Sequence, residues 1–514
     1  MKITYNTVWE NCVRNVISHP GKYFLPESLS DLVSIVQEAE QKDLQVRAVG
    51  SGHSYSEVAK INGYLVDLVR LNRPLDDFRR ALLAGQSDTL VELQAGMTIR
   101  DMNRYLDSKG LSVVNMGGVD VQKVAGAVST ATHGSGLSLP SFPGMVRSFV
   151  LVSGGGKAFR IEPKDKPLSD PIRFAQENPG IELIQDDDIF YSSLVSFGCM
   201  GLIYSLVFEM RKQYFLAELR FLEKWETVKS WIRSGEIFTQ DYTSRIKTKS
   251  REKLSSYWTT GLNDNRSVMV RMNPYKVEGS NDHTCMIIVH REIKSLPPRS
   301  MGEVTRNPGI SILSTLAGDI VTGVGRFLFN NRPHGTPKSI EASLKQEVDN
   351  IYVANAHESL FLGLVNIKEH GFTTEFAFNQ NDPSNYIDAV DSLVSILAQK
   401  AKDLKVYQTG QIGFRWVQKS KAYLAPEFKQ DVCYLDVSCL EGTFGSIEIL
   451  GEVQEHMLSK KGWPHWGKLN NCLVRQTHLI DGKFPKLPVW KDTAIYLDPK
   501  GTFKNKFSND LGLR

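Results

Sequence analysis

Leu44-Gln45-Val46-Arg47-Ala48-Val49-Gly50-Ser51-Gly52-His53-Ser54 is the stretch whose reading decides the fold. Leu44, Val46 and Ala48 alternate with Gln45 and Arg47, the period-two pattern of a half-buried strand. The strand runs into Gly50-Ser51-Gly52, where glycines can take positive φ and turn backbone N–H groups toward an anion. His53 stands at the end of that cradle. A nucleophilic imidazole beside a phosphate-binding loop points to a cofactor held by its phosphates, with a bond to the protein as a further option.

The flanking sequence extends this into an α+β pattern. Residues 28–42 read as a helix capped by Ser28 or Ser30, with Leu29, Leu32, Val33, Val36 and Ala39 on one face. Strands are expected at 64–68 and 89–95, and a short helix at 98–108 that Gly110 ends. Residues 146–152 and 157–161 read as a hairpin around Ser153-Gly154-Gly155-Gly156, and 202–210 as a strand. From about residue 213 the texture changes. Helices at 225–233 and 386–401 mix with strands at 267–272, 285–290, 373–378, 411–417 and 433–439, without βαβ regularity. That predicts an antiparallel sheet with helices on one face.

At 514 residues two domains are the natural expectation, and 41% hydrophobic with 23% charged residues suits a globular enzyme. The 61 basic and 57 acidic residues nearly cancel, leaving no electrostatic case for nucleic acid. The six cysteines lack C-x-x-C spacing, and Cys433 and Cys439 fall on one strand too far apart to bond. The N-terminus has no apolar signal core, so a reducing, cytoplasmic setting is the default. The apolar stretch 309–329 is interrupted by Asp319 and Arg326. It reads as a buried or lid helix in preference to a membrane-surface one, so peripheral membrane association is open but not favoured.

Several motifs fail on inspection. Tyr55 stands where a dinucleotide fingerprint needs its third glycine, and Ala158 follows Lys157 where a Walker loop needs a hydroxyl. His357-Glu358 lacks the second zincin histidine, because Phe361 occupies its place, and no metal constellation is expected. Three glycine-bearing segments remain: Gly50–Ser54; Asn115-Met116-Gly117-Gly118 through Gly126 to Thr130-Ala131-Thr132-His133-Gly134; and Gly198-Cys199-Met200-Gly201-Leu202-Ile203. Small residues and hydroxyls there suit a large planar ligand approaching the backbone closely. Near the C-terminus, Gly462-Trp463-Pro464-His465-Trp466-Gly467-Lys468 reads either as an aromatic plug with Lys468 in solvent or as a pocket wall carrying a fixed cation.

On Val49–Ser54, Thr130–Gly134, Gly198-x-x-Gly201-Leu202-Ile203 and Pro464–Lys468, the chain resembles the vanillyl-alcohol-oxidase-like, PCMH-type FAD-linked oxidases. Within them it is most similar to the aldonolactone and alditol oxidases. The resemblance covers about 8–212 and the C-terminal third, and leaves about 240–350 unmatched. It implies a two-subdomain FAD-binding domain at 1–212, a substrate or cap domain at 213–462 with an antiparallel sheet, and a segment at 463–514 returning to the flavin.

The resemblance also implies FAD, held by Gly50, Ser51, Gly52, His53, Ser54, Gly117, Gly126, Thr130, Thr132, His133, Gly198, Gly201 and Ile203, and bonded covalently to His53. The implied reaction is oxidation of a CH–OH group of a small polar substrate by hydride transfer to flavin N5, with Arg415, His465 and Lys468 as catalytic residues. Oxygen is the implied acceptor, giving hydrogen peroxide; small Gly117 favours it over a quinone or cytochrome. One departure matters. The family usually carries a glutamate two residues before that arginine, and here Gly413 stands there. Asp436 or Ser438, on the neighbouring strand and same face, could compensate. A flavin-binding protein with a non-catalytic cap is the alternative this leaves.

Overall fold

The computed structural model describes residues 1–245, 257, 266–296, 318–346, 348, 351–362 and 371–514. Its first half holds two larger sheets and two two-stranded ones. The smaller of the larger pair is ordered Lys2–Thr4, Lys22–Leu25, Tyr64–Asp67, Val46–Val49, with the last three strands parallel. Helix Leu29–Gln41 connects two of them and buries Leu32, Ile35, Val36 and Ala39, an i, i+3, i+4, i+7 stripe. The Ser28 hydroxyl caps it, accepting from the Asp31 N–H at 3.2 Å. The stripe is rotated from expectation: Ile35 belongs to it, while Leu29 and Val33 are only partly buried.

Strand Val46–Val49 departs from the half-buried reading. Arg47 is 1% exposed, because its guanidinium donates to the Phe197 carbonyl at 2.7 Å beneath the 197–201 turn. The strand's open edge is covered by the C-terminal segment, the Val46 N–H donating to the Thr502 carbonyl at 2.8 Å. Covering an edge in this way satisfies backbone groups that would otherwise recruit another chain.

The second sheet is ordered Glu182–Gln185, Ala158–Glu162, Val146–Val152, Leu202–Glu209, Leu90–Gln94, Pro74–Leu75. The expected hairpin is present, its turn closed by the Ser153 N–H on the Lys157 carbonyl at 2.8 Å.

The second half is one eight-stranded sheet, ordered Ile351–Asn355, Phe215–Lys224, Thr284–Ile293, Ser267–Met272, Ile412–Val417, Val432–Leu440, Gly371–Asn379, Trp463–Pro464. Every pairing in it is antiparallel. Helices Trp225–Ser234, Pro383–Asp403 and Ser446–Ser459 pack on one face. There Phe376, Phe414, Trp416, Leu435 and Val437 are buried, and the Trp225 ring lies 5.3 Å from that of Phe414. Each such side chain contributes about 1.5–3 kcal/mol by leaving water. Alternation sends Glu375, Gly413, Arg415 and Asp436 to the opposite face, toward the first half.

Two strands of this sheet, Ser267–Met272 and Thr284–Ile293, come from the unmatched 240–350 region. Of the apolar stretch 309–329, residues 309–317 lie outside the described residues. The rest belongs to helix Gly318–Asn331, which is not buried: Val324, Phe327 and Leu328 are 54%, 65% and 46% exposed. Among the described residues no helix is long and apolar enough to cross a membrane. All six cysteines are free and buried.

Candidate functional site

A cavity of about 820 Å³ lies between the first half and the face of the eight-stranded sheet that carries Arg415 and Asp436. Its walls include Gly50 to Ser54, then Gly117, Gly126, Thr130, Thr132 and His133, then Gly198, Gly201 and Ile203. Arg415, His465 and Lys468 line it as well. Residues singled out in sequence from segments more than 400 positions apart thus share one space.

The 50–54 loop is shaped by backbone constraints. Gly52 has φ +73°, and a Cβ there would stand 3.2 Å from Asn11 Cα, so both conformation and packing demand glycine. Its carbonyl accepts from the Cys12 N–H at 2.9 Å, and the Ser51 hydroxyl donates to the Val121 carbonyl at 2.5 Å.

The Pro464–Lys468 loop joins this loop to the sheet. Toward the sheet, the His465 N–H donates to the Glu375 carbonyl at 2.8 Å and the Leu469 N–H to the Thr373 carbonyl at 3.0 Å. Toward the first half, the Gly467 carbonyl accepts from the Tyr55 N–H at 2.9 Å and the Trp466 carbonyl from the Ser56 hydroxyl at 2.7 Å. The Lys468 ammonium lies over the Tyr55 ring, 5.0 Å from its centroid. Trp466 is wholly buried with its N–H on the Leu424 carbonyl, so the plug and pocket-wall readings of this segment are both realised, by different residues.

Two histidines face each other across the seam. His133 presents Nε2 to Glu375 Oε1 at 3.4 Å and lies against the Tyr434 ring. His465 Nδ1 accepts from the Gly467 N–H at 3.1 Å, leaving Nε2 to donate to the Ala131 carbonyl at 3.2 Å. Burial pushes the His465 imidazole down to about 3, so it is neutral at physiological pH. Burial acts to raise the Glu375 carboxyl, yet His133 and Lys468 hold it well below the usual carboxylate range. Among the described residues, donor atoms of His133, Glu375 and His465 fall within 4.8 Å of one another. Both His465 nitrogens are committed to backbone groups, so His465 has no nitrogen left to ligate an ion. Glu375 Oε1 is buried with the His133 contact but no hydrogen bond among the described residues.

Strand register sets the remaining wall. Glu375, Asp436, Gly413 and Arg271 are successive cross-strand partners in one row. Arg415 is in the next row, opposite Tyr434. Burial and the Glu375 charge raise the Asp436 carboxyl to about 6, against Lys468, Arg415 and His133. Sequence reasoning missed Glu375 and Arg271. The only signal for Glu375 was a lone carboxylate among the aromatic and small residues of Phe372–Phe378.

Comparison with known proteins agrees with this geometry. Residues 20–162 match a family model described as an FAD binding domain, and 312–511 match one described as D-arabinono-1,4-lactone oxidase. A putative D-arabinono-1,4-lactone oxidase of Neurospora crassa is 26% identical over 48% of this chain and 44% of its own length. An L-gulono-1,4-lactone dehydrogenase of Mycobacterium tuberculosis is 31% identical over 32% of this chain and 36% of its own. The chain therefore spans less than half the length of these two relatives. L-gulonolactone oxidase of Bos taurus is 21% identical over 97% of both chains. Among solved structures, cholesterol oxidase from B. sterolicum superposes with a TM-score of 0.71 at 14% identity, covering 99% of this chain and 97% of that one. At that identity the likeness is one of fold.

Proposed function

We propose, on the premise that the chain belongs to the PCMH-type FAD-linked oxidases, that it oxidises a CH–OH group of a small polar substrate. The substrate class is a sugar lactone, an alditol or a related polyol, with dioxygen as acceptor and hydrogen peroxide as product. The observation carrying this reading is the single cavity that joins the glycine segments to Arg415, Asp436 and Lys468.

The residues present fit FAD. A Cβ at Gly126 would meet nothing within 4 Å, so that wall offers bare backbone to a flat ligand. Gln122 presents a buried carboxamide oxygen that has no partner among the described residues. Residues 1–212 would hold the nucleotide, its phosphates on the 50–54 loop, with His53 as the point of covalent attachment. Bound FAD supplies the acceptor for the hydride leaving the substrate carbon.

The chain's own groups do the rest. Arg415 offers a planar fork to adjacent substrate oxygens, and Lys468 a fixed cation in a space screened from water. Neutral His465 holds the Ala131 carbonyl, and so the 130–134 turn, in place. Residues 213–462 would form the substrate side, and 463–514 return Lys468 to the site. Gly117 leaves room for oxygen. Free, buried cysteines support a reducing, cytoplasmic setting.

The relative named a dehydrogenase supports a second reading, in which electrons pass to a quinone or cytochrome. A panel of aldonolactones and alditols, assayed for peroxide in air and for dye reduction under nitrogen, separates the two. Peroxide release by the wild type, lost in Arg415→Ala, supports the oxidase. Dye reduction without peroxide supports the dehydrogenase. Colourless protein that takes up no FAD ends both.

A further inference from the structure

We infer that Asp436 is the residue that takes the proton of the substrate hydroxyl, with Gly413 opposite it leaving the cavity in front of its carboxylate open. The inference rests on the oxidative reading above and names a catalytic residue within the same site.

The argument starts from register. Asp436 and Gly413 are directly paired across neighbouring antiparallel strands, so Asp436 has no side chain opposite it on that strand. A Cβ at 413 would stand 3.4 Å from Asp436 Cβ and 4.0 Å from its Oδ1. That is ordinary contact, and a glutamate side chain at 413 would reach on into the cavity beside Asp436, adding a third acid to the row that already holds Glu375. With glycine there, the Asp436 carboxylate borders open cavity beside Arg415. Ser438 does not serve equally: it pairs with Thr373, in the next row, and its hydroxyl fills the space beside Gly410.

Charge separates the two acids of the row. Glu375 is 3% exposed and engaged by His133, so it stays ionised as a structural counter-ion. Asp436 faces Glu375 from one strand, Arg415 from the other, and Lys468 and His133 from the loops above. Arg271 follows beyond Gly413 in the row. The Asp436 carboxyl, raised to about 6, is ionised at neutral pH yet basic enough to accept a proton. In the step itself the substrate O–H bond breaks with its proton passing to Asp436, and the C–H bond breaks with its electron pair passing as hydride to FAD. A C=O bond forms, so the substrate is oxidised by two electrons and FAD reduced by two.

The test uses FAD-loaded protein, with D-arabinono-1,4-lactone and L-gulono-1,4-lactone among the probes. In Asp436→Asn, kcat should fall about 10²–10⁴-fold with KM changed far less, and the acid limb of the pH profile near 6 should vanish. Gly413→Glu in the Asp436→Asn background, which returns a carboxylate from the next strand, should recover at least about tenfold of that loss. Infrared titration of the holoprotein without substrate gives a readout independent of turnover. A protonated-carboxyl band that titrates near pH 6 should be present in the wild type and absent from Asp436→Asn. If Asp436→Asn does not fold, Asp436→Glu decides: it should retain activity with a shifted acid limb. An active wild type whose Asp436→Asn, or in its place Asp436→Glu, leaves kcat and the acid limb unchanged overturns the assignment alone. A wild type inactive on every lactone and alditol overturns the oxidative reading and the assignment with it.

Discussion

Tyr434 lies almost flat on His133, with ring centroids 3.7 Å apart and planes 12° from parallel. The contact joins the eight-stranded sheet to the 130–134 turn of the first half and aims His133 Nε2 at Glu375. The same tyrosine donates its hydroxyl to Glu427 Oε2 at 2.7 Å, while Ser141 donates to Oε1 at 2.5 Å. Tyr434→Phe keeps the stack and removes one donor from a carboxylate that is 0% exposed. It should cost about 1–3 kcal/mol. Chemical denaturation monitored by tryptophan fluorescence checks this. Tyr434→Leu, which also loses the stack, should cost more.

Position 52 tests the loop. Alanine there must hold φ near +73° with its methyl 3.2 Å from Asn11 Cα. The left-handed conformation alone costs about 1–2 kcal/mol. Gly52→Ala should lower the unfolding midpoint and the flavin content of the purified protein, while Gly126→Ala, in open space on helix Val124–Ser129, should lower flavin content without lowering the midpoint.

Under the proposed covalent link, removing His53 should change where the flavin goes. Acid-precipitated wild-type protein should stay yellow, and acid-precipitated His53→Ala should release its colour to the supernatant. Wild-type protein that releases all of its flavin removes the covalent link and leaves FAD binding intact.

Two groups give stability opposite pH slopes. His465, pushed down to about 3, refuses the proton that an unfolded imidazole binds near 6.5, so its contribution is lost as pH falls through that window. Asp436, raised to about 6, keeps a proton that an unfolded carboxyl has released, so its contribution is lost as pH rises from about 4 to 6. Asp436→Asn removes only the second effect. The variant should be more stable than wild type at pH 8, by about 2 kcal/mol, and similar to it near pH 3.5. Thermal unfolding at the two pH values gives the comparison.

Much of this site was legible because its parts are glycine-rich or compositionally odd. Gly50–Ser54 and Pro464–Lys468 stand out in any reading, and alternation along 433–439 was enough to put Asp436 on the face opposite Leu435 and Val437. What was not legible depends on tertiary cover. Arg47 reads as solvent-facing until the 197–201 turn is folded over it. Strand Phe215–Lys224 escaped notice because both its faces are partly buried, so Phe215-Leu216-Ala217-Glu218-Leu219 shows no period of two. Glu375 carries no motif, and its importance arises only when strand pairing sets it beside Asp436 and a distant loop brings His133 to it. For the apolar run ending near 329 only the buried alternative fails, at Val324, Phe327 and Leu328, since hydrophobicity alone does not say whether a helix is covered.

The Pro464–Lys468 loop has a mechanical consequence. Its amides hang from the Gly371–Asn379 strand while its carbonyls take donors from Tyr55 and Ser56. Any rocking of one half against the other must shear both sets of bonds at once. The two halves should therefore open together or hardly at all, with traffic to the cavity governed by side chains at its mouth instead of a swinging jaw.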